Sequence, residues 1–418
     1  METKFEQGRL TVILPEEINP KNRTAIETEL FALEHLEAAE ELVLDAENLH
    51  YISSLGLRVI LHFKKSHGGI PVNIINTSED IYNIFETTGF TSFFNIRKKL
   101  RFVDTAGFEL IGSGMYGSVY RINDEQVLKV FYGIQSEEEI EPVINTIRCA
   151  FVHELPTTIP FEIVRTEKGI GTVLELLDSE TLSRVIEKDP QNLDMYIDKM
   201  LALSKTLART AFKEGELRSR KEMLKAKLGR SAPFLSAEEL GTIETYIDAV
   251  PDRTTAVHGD FHAKNLMMSK GNLMLIDMDE FSTGHPLWDV ANLYCIYQGM
   301  VHLDKKIAYG MFDLAVGSPY DDFYFKIVGC TLPQAEVIWD KFFNGYFADS
   351  SREDKEKILK LVAFYGNIKF ITFLVDVCAT LKDQPEKLAE KVKYIRYFLT
   401  ELEKENLHVL LKYLDLWK

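Results

Sequence analysis

The segment His258-Gly259-Asp260-Phe261-His262-Ala263-Lys264-Asn265 sets a carboxylate five residues ahead of a carboxamide. Asp277 follows twelve residues later, in Leu275-Ile276-Asp277-Met278-Asp279. Moving a phosphoryl group onto a hydroxyl needs few side chains. One carboxylate orients the hydroxyl and accepts its proton, and hard oxygen ligands hold magnesium against the phosphates. Asp260 suits the first task. Asn265 and Asp277 suit the second, and Asp279 is either a further ligand or a structural acid. Upstream, Gly112-Ser113-Gly114-Met115-Tyr116-Gly117-Ser118-Val119 is a GxGxxGxV loop, and Lys129 stands twelve residues beyond Gly117 in Val127-Leu128-Lys129-Val130-Phe131. A glycine-rich loop alone marks no more than a hairpin. This one lies between two runs of strand type, where a dinucleotide fold requires a helix after the glycines. That context suits a loop folded over nucleotide phosphates, with Lys129 reaching the α- and β-phosphates. Any one member fits a solvated acidic loop; the ordered set does not.

The elements that must position these groups fall into two styles. From Phe108 on, FELIGSG, SVYRI and QVLKVFY read as strands, residues 136–153 as a helix, and FEIVRT and GTVLELL as two further strands, making a compact β-rich lobe. After Asp178 the chain turns helical: Tyr196, Met200, Leu203 and Leu207 recur at helical spacing, and Ser236 with Glu239 forms a capping box. The helical pattern breaks between Thr255 and Asp277 into a loop and the strand NLMLID, and resumes from about Pro286. The first ~100 residues instead alternate strand and helix, which predicts one sheet covered by helices. RLTVIL is a strand, Asn19-Pro20 opens a helix, LVLDA is a buried strand, a helix starts near Ser53 or Ser54, VNII is a strand, and Ser78-Glu79-Asp80 caps a further helix.

Composition excludes several classes. The 418 residues suggest two to four domains, and 46% are hydrophobic, enough for a sizeable core. Lys and Arg number 48 against 64 Asp and Glu, a formal net charge of −16, which argues against non-specific binding to nucleic acid or anionic membrane. Cys149, Cys295, Cys330 and Cys378 lie far apart with no CxxC pair, as expected of a reducing, cytoplasmic setting. The N-terminus has no signal-peptide pattern, and LVAFYGNIKFITFLVDV is interrupted by Asn367, Lys369 and Asp376, so it reads as a buried helix and no membrane span is expected. His153, His285 and His302 each stand alone and read as structural histidines, and no His/Cys cluster has zinc spacing.

Residues 108–418 resemble the aminoglycoside phosphotransferase and choline kinase branch of the protein-kinase-like fold, on the strength of HGDFHAKN and LIDMDEFSTGHPLWDVANLY. The resemblance implies a bilobal α+β domain, with a small β-rich N-lobe at 105–180 and a helical C-lobe at 181–418. It implies a phosphotransferase with an alcohol group as acceptor, using ATP and Mg2+. It makes Asp260 the catalytic base, Asn265 and Asp277 the magnesium ligands, and Lys129 the phosphate anchor beside Gly112, Ser113, Gly114 and Gly117. Glu175, Leu176 and Leu177 correspond to the hinge that receives adenine, and Asp289, in Trp288-Asp289-Val290-Ala291, to an acid that braces the catalytic loop. The chain departs from that branch in places. The glycine loop, with Tyr116 and Ser118-Val119, is closer to protein kinases. Glu141 is the best candidate to pair with Lys129 from the helix, with Glu137 to Glu139 as rivals. Lys264 stands where the branch often has glycine, and either adds a cation near the phosphates or faces water.

Residues 1–104 resemble an α/β STAS domain of the anti-sigma-factor antagonist type, carried by Leu42-Val43-Leu44-Asp45 and Tyr51-Ile52-Ser53-Ser54-Leu55-Gly56-Leu57-Arg58-Val59. In that family a partner kinase phosphorylates a loop serine. Ser54 aligns with it, and Ser53 replaces the family's usual Asp. A phosphate there would gain from free amides and the helix dipole, but either serine equally suits a plain N-cap. Three functions follow as expectations. The first is an ATP- and Mg-dependent kinase of a small-molecule hydroxyl with a STAS sensor or docking module. The second is a protein serine kinase acting on a STAS serine, its own Ser54 or a partner's. The third is a non-catalytic nucleotide-binding adaptor. The implied partners are a nucleotide, a small hydroxyl acceptor, and an anti-sigma or other STAS-binding protein.

Overall fold

The computed structural model describes the chain except for residues 115, 116, 135, 178, 316 and 418, so Tyr116 of the glycine loop lies outside the described residues. Two compact units result, Met1–Ala106 with Ile163–Lys168, and Gly107–Glu162 with Gly169–Lys418.

In the first unit the strands are β1 (Thr3–Glu6), β2 (Arg9–Ile13), β3 (Glu17–Ile18), β4 (Glu41–Asp45), β5 (Tyr51–Ile52), β6 (Val72–Thr77) and β7 (Asn95–Lys98), with helices α1 (Arg23–Phe31), α2 (Ser54–Ser66) and α3 (Glu79–Thr87). The main sheet runs β1-β2-β4-β6-β7, antiparallel only at the β1–β2 hairpin. Central β4 buries Leu42, Val43 and Leu44 in succession, as a parallel strand covered on both faces must. Helix α1 begins later than Asn19-Pro20 suggests. The Asn19 side-chain oxygen accepts from Lys21 N and Asn22 N, closing a turn, and Asn22 takes the N-cap position.

Ser53 and Ser54 part ways here. Ser53 is the N-cap of α2: its Oγ accepts from Gly56 N at 3.2 Å and donates to Ile18 O at 3.1 Å. Ser54 is the first helical residue and is exposed. Ser53→Ala is therefore expected to destabilise this unit by about 1 kcal/mol, the usual worth of an N-cap, and Ser54→Ala to leave it within about 0.5 kcal/mol. Denaturant unfolding of the full chain, read on this unit's transition, checks both.

The second unit opens with β8 (Glu109–Ser113), β9 (Gly117–Arg121), β10 (Gln126–Phe131), α4 (Glu137–Val152), the first residues of β11 (Pro160–Thr166), whose remainder from Ile163 is counted with the first unit, and β12 (Gly169–Glu175), with sheet order β11-β12-β10-β9-β8. Five strands and one helix are what the pattern predicts. At Gly117 a Cβ would lie 2.3 Å from Val130 O, so only glycine lets the loop leave the sheet there. The helical part contains β13 (Glu180–Thr181), α5 (Leu182–Lys188), α6 (Leu193–Arg209), α7 (Arg220–Gly229), α8 (Ala237–Asp248), β14 (Ala256–Val257), β15 (Leu266–Ser269), β16 (Asn272–Leu275) and β17 (Ser282–Thr283). Helices α9 (Leu287–Tyr294), α10 (Met300–His302), α11 (Lys305–Met311), α12 (Tyr320–Val328), α13 (Leu332–Tyr346), α14 (Arg352–Thr380) and α15 (Pro385–Glu403) follow. Tyr196, Met200, Leu203 and Leu207 are all buried along α6, and the Ser236–Glu239 capping box is formed. The single strand expected before Asp277 is a hairpin, β15–β16, turned by Lys270 and Gly271 with positive φ. Helix α14 is long and apolar enough to cross a membrane by length and composition, yet two-thirds of its apolar window is buried inside this unit.

Candidate active site

The catalytic-loop segment is held from behind by a buried acid. Asp289, on the first turn of α9, accepts from His258 N at 2.9 Å and Gly259 N at 2.7 Å. Gly259 has φ +82°, and a Cβ there would lie 2.6 Å from Glu280 O, so the turn accepts glycine alone. Two further buried groups fasten the loop: Asn292 Nδ2 donates to Phe261 O at 3.2 Å, and Ala263 N donates to the Tyr297 hydroxyl at 3.1 Å. His258, fully buried, accepts from Asp260 N at Nδ1, 3.3 Å, and donates from Nε2 to Ile276 O, 3.1 Å. The network thus assigns its neutral tautomer and ties the loop to the strand end before Asp277.

His258 and His285 share a pH consequence. His285 Nδ1 accepts from Leu287 N at 3.1 Å. Burial lowers both imidazoles' pKa, that of His285 to about 3 from an ordinary 6.5, with Arg253 adding to it. Below about pH 6.5 the unfolded chain binds protons that the folded chain refuses, so stability falls as pH drops from there toward about 3. His285→Asn, which keeps an acceptor for Leu287 N, is expected to flatten this limb in unfolding free energies measured against pH.

Asp260, on the loop so fastened, is partly exposed. Asn265 Nδ2 donates to both its backbone oxygen and its Oδ2 at 2.9 Å, His262 Nε2 lies 3.4 Å from Oδ2, and Lys369 Nζ lies 3.6 Å from Oδ1. Burial pushes its pKa up, but Lys369, His262 and His258 outweigh it and hold the carboxyl well below the usual range. With its amide nitrogen committed to Asp260, Asn265 has Oδ1 left over, and among the described residues this oxygen accepts no hydrogen bond.

Asp277 stands two residues past β16 with φ +58° and ψ +60°, a left-handed conformation that aspartate tolerates better than most residues. A 3-10 turn, Met278–Glu280, follows and brings Asp279 beside it. Lys129 joins the two: its Nζ lies 3.0 Å from Asp277 Oδ1 and 3.1 Å from Asp279 Oδ2. Burial opposes the ammonium charge, but Asp279 and Asp277 more than offset it and raise the Lys129 pKa. Burial, aided by Asp277 and Glu280, raises the Asp279 pKa against the pull of Lys129. Lys129 is thus ion-paired to the acids expected to hold metal, where Glu141 of α4 was the expected partner.

These groups line one wall of a cavity of ≈330 Å³. Gly112, Ser113, Gly114 and Gly117 also line it, with the apolar Val119, Val127 and Leu174 and with Glu175, Leu176 and Leu177. Leu176 N is committed to Glu125 O at 2.8 Å, and Glu175 Oε2 accepts from Ile159 N at 3.3 Å.

Two residues that spacing did not single out are part of the assembly. Arg220, the buried first residue of α7, donates to Glu280 Oε2 at 2.8 Å and to Gly259 O at 3.3 Å. Lys369, midway along α14, donates to Gly259 O at 3.0 Å and stands between Glu280 and Asp260. Burial raises the Glu280 pKa, yet Lys369, Arg220 and Lys227 overturn this and hold it far below the carboxylate range. Lys264 is half-buried, and its Nζ donates to Lys326 O at an exposed position rather than to the site acids. Two of the histidines expected to stand alone do not: His153 Nε2 lies 3.0 Å from Glu216 Oε1, and His302 Nε2 lies 3.6 Å from Glu336 Oε1.

A family model described as the phosphotransferase enzyme family matches residues 107–320, and a STAS-domain model matches residues 1–108. Among solved structures, a choline/ethanolamine kinase family protein from Mesorhizobium loti is 13% identical, covers 74% of this chain and 92% of its own, with a TM-score of 0.45. The gentamicin complex of an aminoglycoside phosphotransferase, APH(2")-IIa, is 13% identical over 77% of this chain and 96% of its own, with a TM-score of 0.41. A putative anti-sigma factor antagonist from Thermotoga maritima is 17% identical over 23% of this chain and 85% of its own, with a TM-score of 0.22. No curated protein sequence matches. The first family model spans just over half of the 418 residues, and on that match the chain belongs to the phosphotransferase enzyme family, here joined to an N-terminal STAS domain.

Proposed function

We propose that the chain moves the γ-phosphoryl group of ATP to a hydroxyl of a small molecule, with Asp260 orienting that hydroxyl and accepting its proton. The observation that carries this reading is the meeting of Asp260, Asn265, Asp277, Asp279 and Lys129 within one constellation beside a glycine-lined cavity. Asn265 Oδ1 and the carboxylates of Asp277 and Asp279 are hard oxygen donors, a set that fits magnesium. Bound there, the ion would neutralise phosphate charge. Lys129 exchanges its ion pairs with Asp277 and Asp279 for the α- and β-phosphates. Gly112, Ser113, Gly114 and Gly117 surround the phosphates, and Glu175 and Leu177 flank the purine.

A second cavity of ≈480 Å³ opens beside Asp279 and Glu280. Its acids Glu280 and Asp376 are paired with Arg220, Lys227 and Arg230. The wall is therefore nearly neutral, and the bulk charge of −16 does not extend to it. Neutral polyols belong in an acceptor screen beside amino sugars and choline. The STAS unit serves as a sensor or docking module for a cytoplasmic partner of the anti-sigma type, and exposed Ser54, at the N-terminus of α2, is its residue placed to carry a phosphate. Incubation with labelled ATP, Mg2+ and such a screen should move label to an acceptor in step with ADP. Label on no acceptor, label on the chain alone, or a rate indifferent to chelation would reject this reading.

A further inference from the structure

Cys149 and His153 stand four residues apart on α4 and its C-cap, and so share one face of that helix. Glu216 arrives from the loop between α6 and α7. The thiol sulfur, an imidazole nitrogen and a carboxylate oxygen of these three residues all lie within 4.8 Å of one another. His153 Nε2 is 3.0 Å from Glu216 Oε1, and Glu216 Oε2 accepts from Lys213 N at 2.8 Å, which fixes the carboxylate.

We propose that Cys149, His153 and Glu216 bind a divalent transition-metal ion of the zinc class, with solvent completing its coordination. Sulfur, nitrogen and oxygen donors together suit such an ion, whereas magnesium takes oxygen alone. Tetrahedral bonds of about 2.0–2.3 Å space their ligand atoms by roughly 3.5 Å, so the observed spacing needs only small side-chain rotations. The site is reachable: the side chains of His153 and Glu216 are 24% and 28% exposed, and Cys149 is the one cysteine of the four that is not buried. Burial, with the Glu216 carboxylate, pushes the Cys149 thiol pKa up to about 11, so an incoming ion must displace its proton.

The ion would join α4 to the loop before α7. The His153 ring packs on Phe212 at 4.3 Å between centroids, and Phe212 meets Phe281 edge-on at 6.0 Å. Phe281 directly follows the turn that carries Asp279 and Glu280, so a tether at Glu216 braces α4 along a line of rings leading to the turn that carries Asp279.

The test uses the full chain, reduced and stripped by chelation, titrated with Zn2+ against a chromophoric chelator and separately with Co2+. One equivalent should bind in Asp277→Asn, and Co2+ should give a near-ultraviolet thiolate charge-transfer band in the parent. The band should persist in Asp277→Asn, which disables the other cation site, and vanish in Cys149→Ser with far-ultraviolet dichroism unchanged. Glu216→Gln leaves the helix untouched and should weaken Zn2+ by roughly tenfold or more, the scale of even outer-shell changes. A cobalt complex without the band, a band that survives Cys149→Ser, or unchanged affinity in Glu216→Gln overturns the proposal. Because the readout is metal bound rather than phosphate transferred, the result stands whether or not an acceptor has been found.

Discussion

Asp260→Asn is expected to lower the phosphotransfer rate constant by on the order of 10²–10⁴-fold, the worth of a positioned proton acceptor, with ATP binding retained. The substitution is isosteric and leaves the loop's supports in place: Asp289 still holds His258 N and Gly259 N, and Tyr297 still holds Ala263 N. What disappears is the charge. Lys369 and His262 lose a partner carboxylate, and the acceptor hydroxyl loses the group that aligns it. The depressed pKa of Asp260 shapes the expectation. A carboxylate so strongly stabilised is a poor base in the ground state, so its main contribution is orientation, with the proton arriving late in a loose transition state. It also stays ionised throughout the neutral range, so no loss of rate between neutral and mildly acid pH should trace to its protonation. Initial rates of ADP release with a competent acceptor, beside equilibrium ATP binding, check both halves. A variant that turns over within about tenfold of the parent would remove Asp260 from the role, since even the lower bound for such a group exceeds that.

How much of this was legible before the structure follows from where each contact lies along the chain. Asp260 and Asn265 are five residues apart, and their hydrogen bond is a local matter of one loop. Asp277 is reached through a hairpin, so its spacing also survives in the sequence. Strands with apolar cores, such as β4 and β10, announce themselves by composition. Edge strands β1 and β7 are mostly polar, with sequences TKFE and NIRK, and have no pattern to read. The remaining site residues are long-range. Lys369 reaches Gly259 O across 110 residues, and Arg220 reaches Glu280 across 60. Each lies on a helix where a cation reads as an ordinary solvated or interrupting charge. Within α14, Lys369 reads only as evidence against a membrane span, yet it is the counter-charge of the site. The Cys149–His153 pair has a helical spacing that was available to be read, but its third member lies 63 residues beyond His153. The ion pairs of Lys129 are made by two loop carboxylates, 148 and 150 residues away, at a separation that leaves no trace in local spacing.

The second large effect concerns a residue that touches no substrate. Asp289→Ala is expected to cost roughly 2–5 kcal/mol of stability in the second unit and to abolish most of the activity, because it strands two buried backbone donors at about 1–3 kcal/mol each. His258 N and Gly259 N have no other acceptor among the described residues, and both sit in the turn that delivers Asp260. Burial raises the Asp289 pKa, and the two amides with His258 work against that shift. The acid therefore tolerates its position only because it is hydrogen-bonded on both oxygens. Asp289→Asn should recover little, since an amide offers one acceptor and turns an NH2 toward the other backbone donor. The distinction from Asp260→Asn is diagnostic. That change should leave the unfolding midpoint near the parent value and remove turnover, whereas Asp289→Ala should lower both. An Asp289→Ala protein with parental stability and lost activity would mean that the acid acts on the reaction itself; one with parental stability and parental activity would mean that the loop holds its shape through Asn292, Tyr297 and the His258–Ile276 bond alone.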